Sequence, residues 1–344
     1  KGMKTYAFTC ASCHFGQAPD GSYSVGLPNH NYDYGGQLLA LNLFPQMVMP
    51  IPGSKAPHPA AAKALKPLVD EFNKLPVGLL QFGWSMLPLV SQMGNVPQMT
   101  DEIQAAYASW LPGTQDFVMY PVPVDDMVHV VGRILSVWRL PSDEEVKAAK
   151  MPHMMLGWGG TTASLHNFIN GFSVLSGGKK IDPLRKKALF AYIKTLSAPK
   201  NPDPPPAHDV DEGAKLFVSR GCTSCHNGPR LMGTKVYSFQ EIGTADALAK
   251  WNDADGDGMA DAPALLGPGD KLTGGVKAPR LNGMWAKKRF LHNGSLSSLE
   301  ELFCLEGQRP TSTDPVFGDG GHMMTCDGLT VAERKHLIAF LRSR

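Results

Sequence analysis

The sequence predicts a mainly α protein built as two tandem modules with long loops. Three observations carry that prediction. A Cys-x-x-Cys-His cluster occurs twice, as Cys10, Cys13, His14 and as Cys222, Cys225, His226. Each cluster is followed at a distance by a similar helical stretch, because "LRKKALFAYIKTL" (184–196) lies on "AERKHLIAFLRSR" (332–344) without gaps. Between the two halves runs "SAPKNPDPPPAHD" (197–209), too proline-rich for helix or central strand. The modules therefore span 1–198 and 199–344, and repetition at this scale is the sign of duplicated units.

The first module opens on its cluster and continues through 45–160, an insertion rich in Pro, Met and Trp. Its closing helix starts at Asp182 and Pro183, an N-cap residue followed by proline at the first helical position, and places Leu189, Tyr192, Ile193 and Leu196 at helical spacing. The second module opens on "DEGAKLFVSRGCTSCH", a helix with Gly213 and Phe217 on one face. Its closing helix starts with Thr330-x-x-Glu333, a capping box, and carries Leu337, Phe340 and Leu341. Strand signals are sparse throughout, while 36 glycines and 28 prolines require much loop.

Composition narrows the function. A chain of 344 residues with 43% hydrophobic and 19% charged content suits globular modules with cores of their own. A net charge of +2 gives no ground for a nucleic-acid partner, and no apolar run approaches the ~20 residues of a membrane span. No charged-then-apolar leader precedes the first cluster, so any signal peptide has been removed or lies outside this sequence. Four of the six cysteines belong to the clusters. Cys304 and Cys326 remain, either as a disulfide in an oxidising compartment or as two buried thiols.

In "NDADGDGMAD", Asp253, Asp255, Asp257 and Asp261 take positions one, three, five and nine of a calcium loop. Gly258 falls at the sharp turn and the Met259 carbonyl at position seven, but position twelve is Ala264 rather than glutamate. Bound Ca2+ with fewer ligands is the reading; an acidic solvated turn is the alternative.

The paired clusters carry the chemistry. Two thiols at this spacing can add to the two vinyl groups of one haem, and the adjacent histidine then reaches the iron. Zinc needs four ligands and each cluster supplies at most three, so zinc would require the clusters to converge. A dithiol redox motif has no use for the trailing histidine, and a core role explains neither spacing nor repetition. Two covalent haem c groups follow, on His14 and His226 as proximal ligands.

These clusters, with "VKAPRLNGMWAKKRFLHNGSLSSLEELF" (276–303) and "YIKTLSAPKNP", resemble the bacterial di-haem cytochrome c peroxidase superfamily, which includes MauG-type and rubber-oxygenase-type members. Pro279, Arg280, Leu281, Phe290, His292, Gly294, Ser295 and Leu299 hold its recurring positions, and "GSYSVGLPNHNYD" is closer to the rubber-oxygenase branch. The match covers 1–35 and 180–344 well and 45–160 weakly. It implies two cytochrome c-like domains in a periplasmic or extracellular setting. The N-terminal haem would react with peroxide or dioxygen, and the C-terminal haem would pass electrons from a small redox protein or another donor. Two rivals remain: a non-catalytic di-haem electron carrier, and a haem dioxygenase acting on a lipophilic substrate.

Axial ligation separates these, since two strong ligands give electron transfer and an open face admits substrate. His30 is the candidate sixth ligand at the first haem; a solvated loop histidine is the alternative. At the second haem His292 comes first, with Met323, Met324 and His322 behind it. His292 could instead hold a propionate or a carbonyl, and the methionines could be core. Trp158, Trp84 and Trp285 are candidates for electron relay. Glu102, Asp116, His129 and His153 are the acid–base candidates of the weakly matched region, and the residues do not choose among them.

Overall fold

The computed structural model describes residues 9–48, 55–74, 99–116, 131–142, 144, 156–160, 162, 164–175, 181–248, 274–307, 309, 314 and 316–344. The calcium-type stretch Asp253–Asp261, with Trp84, His129 and His153, lies outside them. Helices dominate, and strands occur among the described residues as short antiparallel ribbons of two strands each. The mainly α expectation is met at that level.

The first half starts with helix α1 (Cys10–His14), which carries the cluster, and ribbon β1 (Phe15–Gln17) with β2 (Tyr23–Val25). Helices α2 (Tyr34–Val48), α3 (Pro59–Asn73) and α4 (Asp101–Ala108) then build a core of Leu38, Leu39, Leu43, Ala61, Leu65, Ile103 and Tyr107. Gly35 allows α2 to approach α4, since a Cβ there would stand 2.1 Å from the Tyr107 carbonyl oxygen. A second ribbon pairs β3 (Thr114–Asp116) with β4 (Val131–Arg133). Helices α5 (Leu165–Leu175) and α6 (Pro183–Thr195) complete this half. Asp182 caps α6 by accepting from the Leu184 and Arg185 N–H groups, as its sequence predicts.

The second half opens on α7 (Ala207–Ser219), which runs into a single 3-10 turn, Cys222–Ser224, bearing the second cluster. Strand β5 (Val236–Ser238) pairs with β6 (Gly275–Lys277), short helices α8 (Phe239–Ile242) and α9 (Leu299–Leu302) follow their capping serines, and α10 (Val331–Arg342) ends the chain. Helix α7 crosses α10 at Gly213, where a Cβ would meet the His336 carbonyl oxygen at 2.0 Å. Phe217 then stacks on Phe340 at 5.0 Å, in a core with Phe290, Leu296, Leu299, Leu337 and Leu341.

The two closing helices look alike in sequence but differ in burial. Leu337, Ile338, Phe340 and Leu341 of α10 are buried, whereas Tyr192 of α6 is 51% exposed and Lys186 is the residue it buries. The cause for α10 is its cover: α7 lies on it at Gly213 and Phe217.

The halves share a reciprocal pair of contacts and repeat others within themselves. Arg133 N–H donates to the His292 carbonyl at 2.6 Å, and Lys277 N–H, at the same place on its ribbon, donates to the Trp158 carbonyl at 2.9 Å. Arg139 N–H donates to the Leu196 carbonyl and Gly283 N–H to the Arg344 carbonyl, and both donors have positive φ, 51° and 62°. The bridge Leu156–Thr162 likewise matches Phe290–Leu296, with positive φ at Gly157 and Gly160 in one and at Leu291 and Gly294 in the other. Contacts that pair residue i of one half with j of the other, and j with i, are those of an isologous interface. Here that geometry joins the halves of one chain.

Candidate functional site

Both clusters present their histidine from a tight backbone turn. In the second, His226 N–H donates to the Cys222 carbonyl at 2.9 Å, which folds the motif onto itself. The His226 ring is then fixed by Nδ1–H donating to the Leu231 carbonyl at 3.1 Å. Burial lowers its pKa, against the pull of the Leu231 and Pro279 carbonyls, so the ring is held neutral as a metal ligand must be. Burial takes His14 to about 4, with the Leu135 carbonyl opposing and Arg280 assisting, and its Nδ1 is buried without a hydrogen-bond partner. Leu135 and Pro279 stand two residues beyond β4 and β6, so one carbonyl near each histidine comes from matching positions of the repeat.

The four cluster thiols are unpaired, while Cys304 and Cys326 form a disulfide. Burial raises Cys13 to about 12, with the neighbouring Cys10 thiol adding to it, and raises Cys222 as well. Thiols so disposed remain protonated at neutral pH, unlike the low-pKa cysteines of dithiol oxidoreductases. Among the described residues no three His, Cys, Asp or Glu side chains gather around one point, so the clusters do not converge as a shared zinc site requires.

On the far side of the second cluster stands His322. Its ring centre lies 6.4 Å from that of His226, with 68° between the planes. Two imidazoles joined to one metal by bonds of about 2 Å, each ring centre about 1 Å behind its nitrogen, have centres roughly 6 Å apart. The 6.4 Å separation is close to that span. Burial foremost, with His226 and Arg309 adding to it, lowers the His322 pKa to about 4, and its Nδ1 is buried without a hydrogen-bond partner. The backbone of His322 is left-handed, φ 57°, and Thr325 N–H donates back to its carbonyl, so a short 3-10 turn aims the ring.

The other candidates fall elsewhere. His292 is buried beside Trp158 and Phe239, edge-on to both at 6.4 and 5.7 Å, with Nδ1 at 3.4 Å from the Thr244 hydroxyl and Nε2 unpartnered. Its surroundings belong to the junction between the halves. Met323 receives an Arg309 N–H on its sulfur at 2.6 Å, and Met324 is 57% exposed. His30 is buried rather than solvated, and its Nε2 accepts the Lys288 N–H at 3.2 Å across the junction. That nitrogen is engaged in joining the halves. Glu102 is exposed in the first turn of α4, and Asp116 belongs to β3.

Of the tryptophans, Trp158 is buried with its indole N–H on the Arg133 carbonyl at 2.8 Å, and Trp285 donates to the Pro199 carbonyl at 3.0 Å. Sequence reasoning missed Trp138. Its indole is wholly buried between Gly26 and Gly283, where added Cβ atoms would stand 2.5 and 2.3 Å from the ring, and it donates to the Val25 carbonyl. The signal was the repeat itself, since "VGRILSVWR" (131–139) lies on "GVKAPRLNG" (275–283) once β4 and β6 are aligned by their last residues.

No family model matches the chain, and no curated protein matches it. Identity therefore rests on the residues. Among the described residues no helix is long and apolar enough to cross a membrane.

Proposed function

We propose that the chain is a di-haem c-type oxidoreductase of the cytochrome c peroxidase type, acting outside the cytoplasm. The observation that carries this is the opposed pair His226 and His322, separated by the span of an imidazole–metal–imidazole unit. Haem, bound through Cys10 and Cys13 and through Cys222 and Cys225, would supply one-electron chemistry and, where a face is free, reaction with peroxide. His226 and His322 would hold the second group on both faces, which suits electron transfer there. Leu231 orients the His226 ring, and burial keeps both rings neutral. His14 would hold the first group, where peroxide would react. Trp158 lies at the junction, with its ring edge-on to His292 and capped by the Arg133 guanidinium at 5.0 Å. The Cys304–Cys326 disulfide supports an oxidising compartment, and Ca2+ at Asp253–Asp261 belongs to the same reading.

The same His226–His322 pair also favours a second reading, a di-haem electron carrier. Electron paramagnetic resonance of the oxidised and half-reduced protein, with and without peroxide, separates them. The peroxidase reading expects one low-spin bis-imidazole iron and a second iron whose signal responds to peroxide. Two low-spin irons in every redox state, inert to peroxide, establish the carrier instead. In the His322→Ala variant the bis-imidazole signal is expected to disappear; an unaltered spectrum would remove His322 as a ligand.

A further inference from the structure

Four cations are buried where the halves meet: Arg133 at the end of β4, Lys277 at the matching end of β6, and Arg280 and Lys287 in the segment that follows β6. Each is at most 8% exposed. They are neighbours: Lys287 lies within electrostatic range of Arg133 and Arg280, and Lys277 within range of Arg280. Among the described residues no carboxylate pairs with any of them.

Hydrogen bonding leaves donors over. Arg133 gives Nε–H to the Leu291 carbonyl, but its Nη1 is buried without a partner. Arg280 gives Nη2–H to the Ser136 carbonyl at 2.6 Å, and its Nε is likewise buried and unpartnered. Lys287 Nζ reaches only the Arg280 carbonyl and the Met284 sulfur, both at 3.4 Å. A buried cation without a counter-charge costs several kcal/mol on the order of its desolvation, so a cluster of four calls for anions. Desolvation is already felt: burial lowers Lys277 to about 7, takes Arg133 and Arg280 to about 10, and drives Lys287 well down.

The position of the cluster identifies the anion. Arg280 follows Pro279, whose carbonyl reaches His226, and its guanidinium bonds the carbonyl of Ser136, next to Leu135 at His14. Arg280 thus links the surroundings of the two cluster histidines, with Lys277 and Lys287 within electrostatic range of His226. We infer that Arg133, Lys277, Arg280 and Lys287 form a shared cationic seat for the carboxylates of both haems. This rests on the di-haem reading. Haem carries two propionates, so two haems bring four negative charges to four cations. Because the seat is common, the charge state of one haem is felt at the other through the same side chains. Arginine suits it by its planar fork, and lysine by its compact charge.

Resonance Raman spectroscopy and spectroelectrochemistry of the holoprotein test the seat with the Lys287→Met and Arg280→Gln variants. Haem content is measured first, by the pyridine haemochrome. Fewer than two haems in the parent protein overturns the di-haem reading itself. With two haems bound, each variant is expected to shift the propionate bending bands and lower the midpoint potentials, because loss of a nearby cation favours ferric over ferrous iron. Lys287→Arg keeps the charge and is expected to keep the potentials. Two haems with unshifted bands and unchanged potentials in both neutral variants overturn the seat. Should both variants fail to fold, the parent protein decides. Carboxylates held by buried cations stay ionised well below their ordinary range of roughly pH 4 to 5, so propionate bands unmoved between about pH 7 and pH 4 support the seat, and bands that move across that interval refute it.

Discussion

At the scale of single residues, the buried histidines divide by what their nitrogens face. His226 has Nδ1 on the Leu231 carbonyl and its ring beside His322, whereas His30 has Nε2 on the Lys288 N–H. His30 and His292, both buried where the halves meet, act on stability. Burial, aided by Arg133, lowers His30 to about 3 and His292 to about 4, against an ordinary value of 6.5. Both rings are neutral in the folded protein, and the unfolded chain takes up protons first as pH falls. Their contribution is thus complete above about pH 6.5 and is lost toward pH 4, at up to about 1.4 kcal/mol per pH unit for each ring. The measurement is Tm against pH. The His30→Gln variant, whose Oε1 can still accept from Lys288, is expected to show a shallower fall; an unchanged slope would remove His30 as its source. The His226–His322 pairing was only half legible in the sequence. The cluster motif marks His226, but nothing local distinguishes His322 from Met323 or Met324, because a distal ligand is chosen by where a turn points.

At the scale of elements, close approach of backbones sets the second half. Gly213 is needed because α7 crosses α10 over the His336 carbonyl. A Gly213→Val side chain must push the helices apart and part Phe217 from Phe340. The expected loss is about 1–3 kcal/mol or more, read as a lower denaturant midpoint. An unchanged midpoint would mean the crossing is looser than drawn. The Cys304–Cys326 disulfide closes a loop of sequence separation 22 that contains His322, and Arg334 donates to the carbonyls of both cysteines. In chain-entropy terms that closure contributes about 3 kcal/mol. The Cys304→Ala, Cys326→Ala double variant should therefore melt earlier, and on the di-haem proposal its bis-imidazole signal should weaken. Sequence predicted these helices and their caps well, since Asp182, Thr330 and Glu333 act within one turn. It did not predict that α6 stays largely exposed, because burial depends on a partner distant in the chain.

At the scale of the whole molecule, the repeat is an interface as much as a duplication. Each half lends the other a backbone donor, Arg133 to His292 and Lys277 to Trp158, and Trp138 fills the space between Gly26 and Gly283. Trp138→Ala would leave a cavity at that seam, with an expected cost of about 3–5 kcal/mol. Calorimetry should show one cooperative transition in the parent protein and two separated transitions, or one much earlier transition, in the variant. A variant that melts like its parent would show that the halves are joined elsewhere.

The sequence by itself determined the duplicated clusters with their histidines, the helical class and the helix caps. All of these depend on residues within a few positions of one another. Tertiary structure alone decided that His322 rather than His292 faces His226, that His30 fastens the halves, that Cys304 and Cys326 are joined, and that four cations meet at the seam. Those depend on contacts between segments up to 258 residues apart, as His30 and Lys288 are. Spacing along the chain encodes local geometry, but which side chains meet across a fold is fixed only when the cores close.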